Sequence, residues 1–149
     1  MKPKCTRQEL KGNYIITPNI VFDLHLHAYE LVIYAYLLRI ENRKTFQSLT
    51  SYSKIANKLG LSINTVAKYV SRLEEHGLIR TEHTQIITQD GLKRNGCLRY
   101  HLLPIQYAVD LYHERQMAEL EHTVAVQKAR KKAEKLGIEY VPPNAEQSA

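Results

Sequence analysis

The stretch KLGLSINTVAKYVSRLEEHGLI, residues 58–79, decides the fold because it predicts two short helices joined at one glycine. In its second half, Val66, Val70 and Leu73 recur at i, i+4 and i+7, which places them on one side of a helix. The polar residues that fall mostly on the other side are Asn64, Thr65, Lys68, Ser71 and Arg72. The second helix therefore has a core face and a polar face, and the polar face is a candidate binding surface.

Signals for the ends of both helices are present. Ser51 and Ser62 are predicted N-caps, because a serine hydroxyl can accept a backbone N–H that the first turn leaves free. Gly60 and Gly77 are predicted to end the helices, since glycine adopts the left-handed conformation after a last turn without a clash. These signals predict helices that begin after Ser51 and Ser62, with a tight turn between them.

Two elements are predicted before this pair of helices. Residues 14–17, YIIT, favour a short strand that ends at Pro18. Residues 26–40 predict a helix that is apolar almost all round, which is typical of a helix at the centre of a core. A charged connection, residues 41–47, follows this helix.

After Gly77 the pattern changes from helical to extended. Residues 78–88 and 97–103 predict two strands, and the loop 89–96 between them contains the turn signals Asp-Gly and Asn-Gly. The two strands are expected to pair as a β-hairpin. Lys93 and Arg94 would lie at its tip, and Arg99 on the returning strand.

The chain is expected to contain one folded domain with extensions at both ends. Residues 1–13 are predicted to be a flexible N-terminus, 14–103 the folded domain, 104–138 a C-terminal helix and 139–149 a flexible tail. The C-terminal helix shows no clean heptad pattern, and a basic cluster begins at Lys128.

The positive charge is concentrated in the first two thirds of the chain. Residues 1–103 carry 15 Lys and Arg against 8 Asp and Glu, or +7, whereas residues 104–149 carry 6 against 7, or −1, for a total of +6. A basic domain favours polyanionic partners. No apolar stretch is long enough for a membrane span, no secretion signal is evident, and the two cysteines suit a reduced compartment, so a cytoplasmic location without membrane contact is expected.

The order helix, tight turn, helix and hairpin is that of a winged helix-turn-helix. The segment SYSKIANKLGLSINTVAKYVSRLEEHGLI, residues 51–79, resembles the winged helix-turn-helix domains of bacterial DNA-binding proteins. The upstream segment, residues 14–40, is similar to the strand and first helix that precede this motif in plasmid and phage replication initiators and in small regulators. The resemblance covers residues 14–103. It predicts an α+β, mainly α fold, a winged helix-turn-helix with a β-hairpin wing and a long C-terminal helix.

The resemblance implies that the third helix, 62–76, enters the major groove of double-stranded DNA and that the wing, 78–103, holds the adjacent backbone. Asn64 can pair bidentately with adenine, and Lys68 can reach guanine or phosphate. Glu74 and Glu75 are interpreted as solvated charges. The complete set of predicted DNA contacts is Ser62, Asn64, Thr65, Lys68, Ser71, Arg72, Lys54, Lys58, Lys93, Arg94 and Arg99.

No enzyme chemistry or metal site is expected. Residues 51–54 match the S-x-x-K pattern of some serine hydrolases, but the companion motifs S-D-N and K-T-G are absent. The seven histidines and two cysteines show no C-x-x-C or H-x-x-x-H spacing. We therefore expect no catalytic residues, no metal ligands and no cofactor.

Three functions remain open on the sequence. The first is a small transcriptional regulator that binds DNA sequence-specifically, and the second is a replication-initiator-like protein of a plasmid, phage or mobile element. The third, from another class, is a winged helix used for protein–protein contact, which predicts an uncharged recognition surface. A homodimer through the C-terminal helix is also expected, so that a chain cut after Leu103 would be monomeric.

Overall fold

The structure is a computed structural model that describes residues 14–142. In chain order the elements are a 3-10 helix (Asn19–Asp23), α1 (Ala28–Ile40), β1 (Gln47–Thr50), α2 (Tyr52–Leu59), α3 (Ile63–Glu75), β2 (Ile79–Ile87), β3 (Lys93–Leu102) and α4 (Ile105–Leu136). The strands form one antiparallel sheet in the order β1-β3-β2. The predicted fold class, a mainly α winged helix-turn-helix with a long C-terminal helix, is confirmed. The predicted flexible segment 1–13 and most of the predicted tail lie outside the described residues.

The helix ends follow the predicted caps. The Ser51 hydroxyl accepts the Lys54 N–H at 3.3 Å, and the Ser62 hydroxyl accepts the Thr65 N–H at 3.1 Å. Gly60 ends α2 with φ 68°, and Gly77 follows α3 with φ 75°. The tight turn between α2 and α3 therefore depends on the residue types that predicted it.

The core is built from α1 and the apolar stripe of α3. Ile33 and Leu37 of α1 are fully buried, as are Val66 and Leu73 of α3. Burial of one such side chain stabilises the fold by about 1.5–3 kcal/mol. This packing orients α3 so that its polar face points away from the core.

The first strand differs from the prediction. Residues 14–17 form no strand, and the strand beside β3 is instead β1, which pairs Gln47 with His101 and Thr50 with Leu98. Ser48 in β1 is buried and donates a hydrogen bond to the carbonyl oxygen of Leu37 at 2.9 Å. The prediction was wrong because the polar sequence QSLT becomes a strand only through partners far along the chain.

The wing differs from the prediction at Asn95-Gly96, the second of the two turn signals. His83 pairs with Leu98 and Gln85 with Asn95, so Gly96 and Cys97 together lie opposite Thr84 in a β-bulge. A Cβ on Gly96 would stand 2.5 Å from the Thr84 hydroxyl oxygen, which explains why glycine is needed there. The Asn-Gly pair is therefore part of β3, and the turn itself comprises residues 88–92.

The described residues divide into two compact units, with the boundary between Leu111 and Tyr112 inside α4. In the first unit, Ala108 is 1% exposed, and Tyr107 and Leu111 contact the glycine after α3. In the second unit, the helix from 112 to 136 is mostly exposed. The domain limits expected from the sequence, 14–103 and 104–138, stay a prediction. None of the helices within residues 14–142 is apolar over a length that could cross a membrane.

Candidate nucleic-acid interface

The outer face of α3 presents most of the predicted contact residues together. Asn64, Lys68 and Ser71 are exposed, whereas Thr65 and Arg72 are half-buried. The opposite face, which contains Val66 and Val70, is buried against α1. Hydrogen-bonding groups of the outer face are therefore held on a rigid helix whose orientation the core fixes.

The N-terminal turn of α3 favours an anion. Its first turn contains no acidic residue, so the partial positive charge of the helix end is not neutralised there. The Ser62 and Thr65 hydroxyl groups lie 2.7 Å apart and share a hydrogen bond. Both hydroxyls are thereby ordered at the start of the helix.

Lys68 lies beside an aromatic cluster that the sequence did not reveal. The Tyr69 ring stacks on the His27 ring at a centroid distance of 4.7 Å and meets the Tyr29 ring edge-on at 5.3 Å. The Lys68 ammonium lies 5.5 Å from the centre of the Tyr69 ring. A cation over a tyrosine ring gains about 0.5–1 kcal/mol at an exposed site. The cluster therefore restricts the Lys68 side chain on the outer face of α3.

Arg72 has a partner within the protein. Its Nε lies 2.9 Å from Oε1 of Glu30, a carboxylate on α1 that is 0% exposed, while the arginine side chain is 44% exposed. The second carboxylate oxygen of Glu30 accepts the backbone N–H of His27 at 2.6 Å. Glu30 therefore caps α1, and its charge is neutralised by Arg72 of α3. Arg72 has a structural role whether or not it also contacts DNA.

We expect Glu30→Gln to lower the free energy of unfolding by about 1–3 kcal/mol, because the ion pair with Arg72 is lost and the hydrogen bond from the His27 N–H is no longer charge-assisted, while the shape is kept. Urea denaturation checks this value. The matched control is Asp23→Asn, an exposed carboxylate in the 3-10 helix, which should change stability by no more than about 0.5 kcal/mol. Equal effects of the two substitutions would show that the buried ion pair does not stabilise the fold.

The tip of the wing combines cations with exposed aliphatic side chains. Lys93 lies opposite Ile87, and Arg94 lies opposite Ile86. Paired residues of neighbouring strands share a face, so each face of the tip carries one cation and one isoleucine. Ile87 is 72% exposed, and Leu92 in the turn is exposed as well. The prediction that Lys93 and Arg94 lie in the tip loop needs correction, since both begin β3 directly after the turn.

Arg99 is engaged on the sheet surface. Its guanidinium lies 3.3 Å from a carboxylate oxygen of Glu82, and His101 Nε2 lies 2.9 Å from the same oxygen. The hydrogen bond with His101, together with Arg99, holds the pKa of the Glu82 carboxyl below its usual range. Arg99 therefore has an acidic partner, unlike the exposed Lys93 and Arg94.

Glu74 connects the third helix to the wing. Its carboxylate oxygen accepts the backbone N–H of Thr81 at 2.6 Å and the Thr81 hydroxyl at 2.7 Å. The interpretation of Glu74 as a solvated charge was therefore wrong. This contact joins α3 to β2, so the helix and the wing present their charges as one unit.

Lys54 and Lys58 are both exposed on α2, the helix before the turn. The hydroxyl of Ser51 accepts the Lys54 backbone N–H, so the S-x-x-K match is explained by helix capping. Within residues 14–142, no group of three His, Cys, Asp or Glu side chains is arranged to hold a metal ion.

An open groove with both apolar and charged lining residues runs along α1. It has a volume of about 1010 Å³ and is lined by residues before α1, by α1 itself and by the segment before β1. The apolar side chains that line it include Tyr14, Ile15, Ile16, Val32 and Phe46. These residues before α1 were expected to form a strand, and they line this groove instead.

The chain is similar to a family model and to solved structures. Residues 24–79, from before α1 to the first residue of β2, match the family model for a helix-turn-helix domain. Among solved structures, the chain is similar to the possible transcriptional regulator from Methanosarcina mazei Go1, with 15% sequence identity and a TM-score of 0.48, over 78% of this chain and 96% of that chain. No curated protein matches the chain.

Proposed function

We propose that the protein uses residues 24–79, which match the family model for a helix-turn-helix domain, to bind double-stranded DNA sequence-specifically as a small transcriptional regulator. The outer face of α3 is the observation that carries this proposal. Asn64 and Lys68 are exposed there in the first turns of the helix, where base edges are met in such domains.

The proposed division of roles follows the chemistry of each group. Asn64 reads adenine through two hydrogen bonds, and Lys68 reads guanine or holds a phosphate. The phosphate contacts come from the cations around α3, because Lys and Arg neutralise the backbone without reading sequence. These are Lys54, Lys58, Lys93 and Arg94. Ser62, Thr65 and Ser71 supply hydroxyl groups at the same surface. Arg72 and Arg99 complete the proposed contacts, with their charges already paired with Glu30 and Glu82.

The alternatives differ in what they require of this surface. A winged helix that binds another protein is expected to present an uncharged outer face on α3, whereas Lys68 and Asn64 occupy it here. A replication-initiator-like protein would bind DNA through the same residues. The two DNA-binding roles differ in the position of the preferred site, which selection from random duplex DNA followed by a genomic search would distinguish.

We expect Asn64→Ala or Lys68→Ala to weaken binding to the preferred duplex by about 1–3 kcal/mol and to flatten the preference at one base pair. Lys93→Ala should weaken binding to all DNA sequences about equally, since it removes a phosphate contact. Fluorescence anisotropy with the preferred duplex and with single-base variants measures both effects. If Lys93→Ala changed the base preference while Asn64→Ala left it intact, the placement of α3 in the major groove would be contradicted.

A further inference from the structure

Large apolar side chains that are open to solvent meet in the groove along α1. Between 39% and 70% of the surface is exposed for each of Tyr14, Ile15, Ile16, Val32 and Phe46. Single exposed apolar residues are common on protein surfaces, but an apolar patch gathered in a concave site is typical of ligand binding. The volume of about 1010 Å³ suits a small molecule. The groove is therefore a candidate ligand site.

Phe46 lies at the groove in a backbone conformation that phenylalanine rarely adopts. Its φ is 54°, in the left-handed region that favours glycine or asparagine. The conformation is fixed because the Phe46 N–H donates to the Asn42 carbonyl at 2.7 Å and the Phe46 carbonyl accepts the Leu102 N–H at 2.9 Å. Such strained residues cluster at binding sites. The loop thus keeps an exposed aromatic ring at the groove, although a smaller residue would suit its backbone better.

The charged lining of the groove is net positive. It consists of Arg39, Glu41 and Arg43, two cations and one anion, which sum to +1. Glu41 interacts electrostatically with Arg43, whereas Arg39 is exposed and takes part in none of the ion pairs found within residues 14–142. A guanidinium group can pair with a carboxylate through two parallel N–H donors. A cation beside apolar and aromatic side chains therefore matches a ligand with an apolar body and one carboxylate.

We propose that the groove along α1 binds an amphipathic carboxylate, a small molecule with an aliphatic or aromatic body and one anionic head, with the head at Arg39. Other occupants are less complementary in charge. Residues 1–13 carry four Lys and Arg against one Glu, so this segment would bring more positive charge to Arg39 and Arg43. A second copy of the chain paired through this groove would set the same positive lining against itself, as a twofold interface requires.

Three probes with the same apolar chain separate the head of the ligand from its body. Octanoate is negative, octan-1-ol is neutral and octylammonium is positive. We expect octanoate to bind about tenfold more tightly than octan-1-ol, and octylammonium to bind more weakly still. Backbone amide chemical shifts of the full chain give the three affinities and should change most in residues 14–16, 32–39 and 43–46. Equal affinities of octanoate and octan-1-ol, or octanoate-induced shifts confined to other residues, would overturn the proposal.

Substitutions test the two parts of the site separately. Arg39→Gln should weaken octanoate binding about tenfold and leave octan-1-ol binding unchanged, because it removes only the charge. Arg80→Gln, which changes an exposed arginine of β2 outside the groove, is the matched control and should alter neither affinity. Phe46→Asn should weaken both probes, since it removes the ring while asparagine accepts the left-handed backbone. Octanoate affinity that is unchanged in both groove variants would overturn the site.

Two further outcomes would each identify another occupant and overturn the proposal. Groove signals that shift with protein concentration in the absence of a probe would identify a second copy of the chain. Nuclear Overhauser contacts between residues 1–13 and the groove would identify the N-terminal segment of the same chain. None of these measurements uses DNA, so their outcomes are independent of the proposed function.

Discussion

Gly77→Ala is expected to lower the free energy of unfolding by about 2–4 kcal/mol, through backbone strain and a steric clash. Gly77 has φ 75°, a conformation that side chains with a Cβ rarely adopt. The added Cβ would stand 2.6 Å from Leu111 Cδ1 and 2.9 Å from Tyr107 Cδ1. The side chains of Leu111 and Tyr107 in the first turns of α4 would have to shift. Urea denaturation of the full chain measures the loss.

Gly60→Ala is the matched control for this substitution. Gly60 has nearly the same backbone conformation, with φ 68°, but a Cβ there would meet nothing within 4 Å. Its expected cost is about 1 kcal/mol, from backbone strain alone. Equal losses for the two alanines would mean that the first turns of α4 do not pack closely against the residue after α3.

Affinity for duplex DNA is expected to fall about 250- to 1000-fold when salt is raised from about 50 to 200 mM, because bound cations release counterions from the phosphates. Among the predicted contact residues, the cations that take part in none of the ion pairs found within residues 14–142 are Lys54, Lys58, Lys68, Lys93 and Arg94. If about five phosphates are neutralised, log K should change with log salt by about −4 to −5. Anisotropy titrations at several salt concentrations give this slope directly.

Removal of the wing cations tests their share of the slope. Lys93→Ala with Arg94→Ala should make the slope shallower by about 2, which is roughly one unit for each lost phosphate contact. Arg39→Ala, which removes an exposed cation at the groove along α1, should leave the slope unchanged. An unchanged slope in the wing variant would exclude the wing from phosphate binding.

The helix-turn-helix could be predicted because its determinants are local. Ser62 and Gly77 delimit α3, and the stripe that contains Val66 and Leu73 marks its core face, all within a single helix. The same local patterns gave the outer face of α3 with Asn64 and Lys68 exposed. For this part of the molecule, the sequence alone predicted which face of α3 is buried and which is exposed.

The contacts that sequence reasoning missed join residues far apart in the chain. Glu30 meets Arg72 across 42 positions, and β1 exists only because it pairs with β3. One sequence signal was available for the ion pair, since Glu30 is an isolated carboxylate in a helix that is otherwise almost wholly apolar. Such a carboxylate becomes buried with the helix and then needs a cationic partner.

The wing shows why an Asn-Gly pair can mislead. Glycine is favoured both in tight turns and where another strand comes too close for a Cβ, and the residue itself does not distinguish the two. At Gly96 the side chain of Thr84 occupies the space of a Cβ, and its hydroxyl donates to the Cys97 carbonyl. Only the cross-strand register, which joins His83 to Leu98, identifies the bulge.

The interface proposed here is one surface made from α3 and the wing, connected by the hydrogen bonds between Glu74 and Thr81. Backbone amide chemical shifts recorded during a titration with a short DNA duplex test this claim most directly. We expect the largest changes in residues 62–72 and in the wing tip, residues 86–94. Changes confined to the groove along α1 or to residues 112–136, with α3 unaffected, would contradict it.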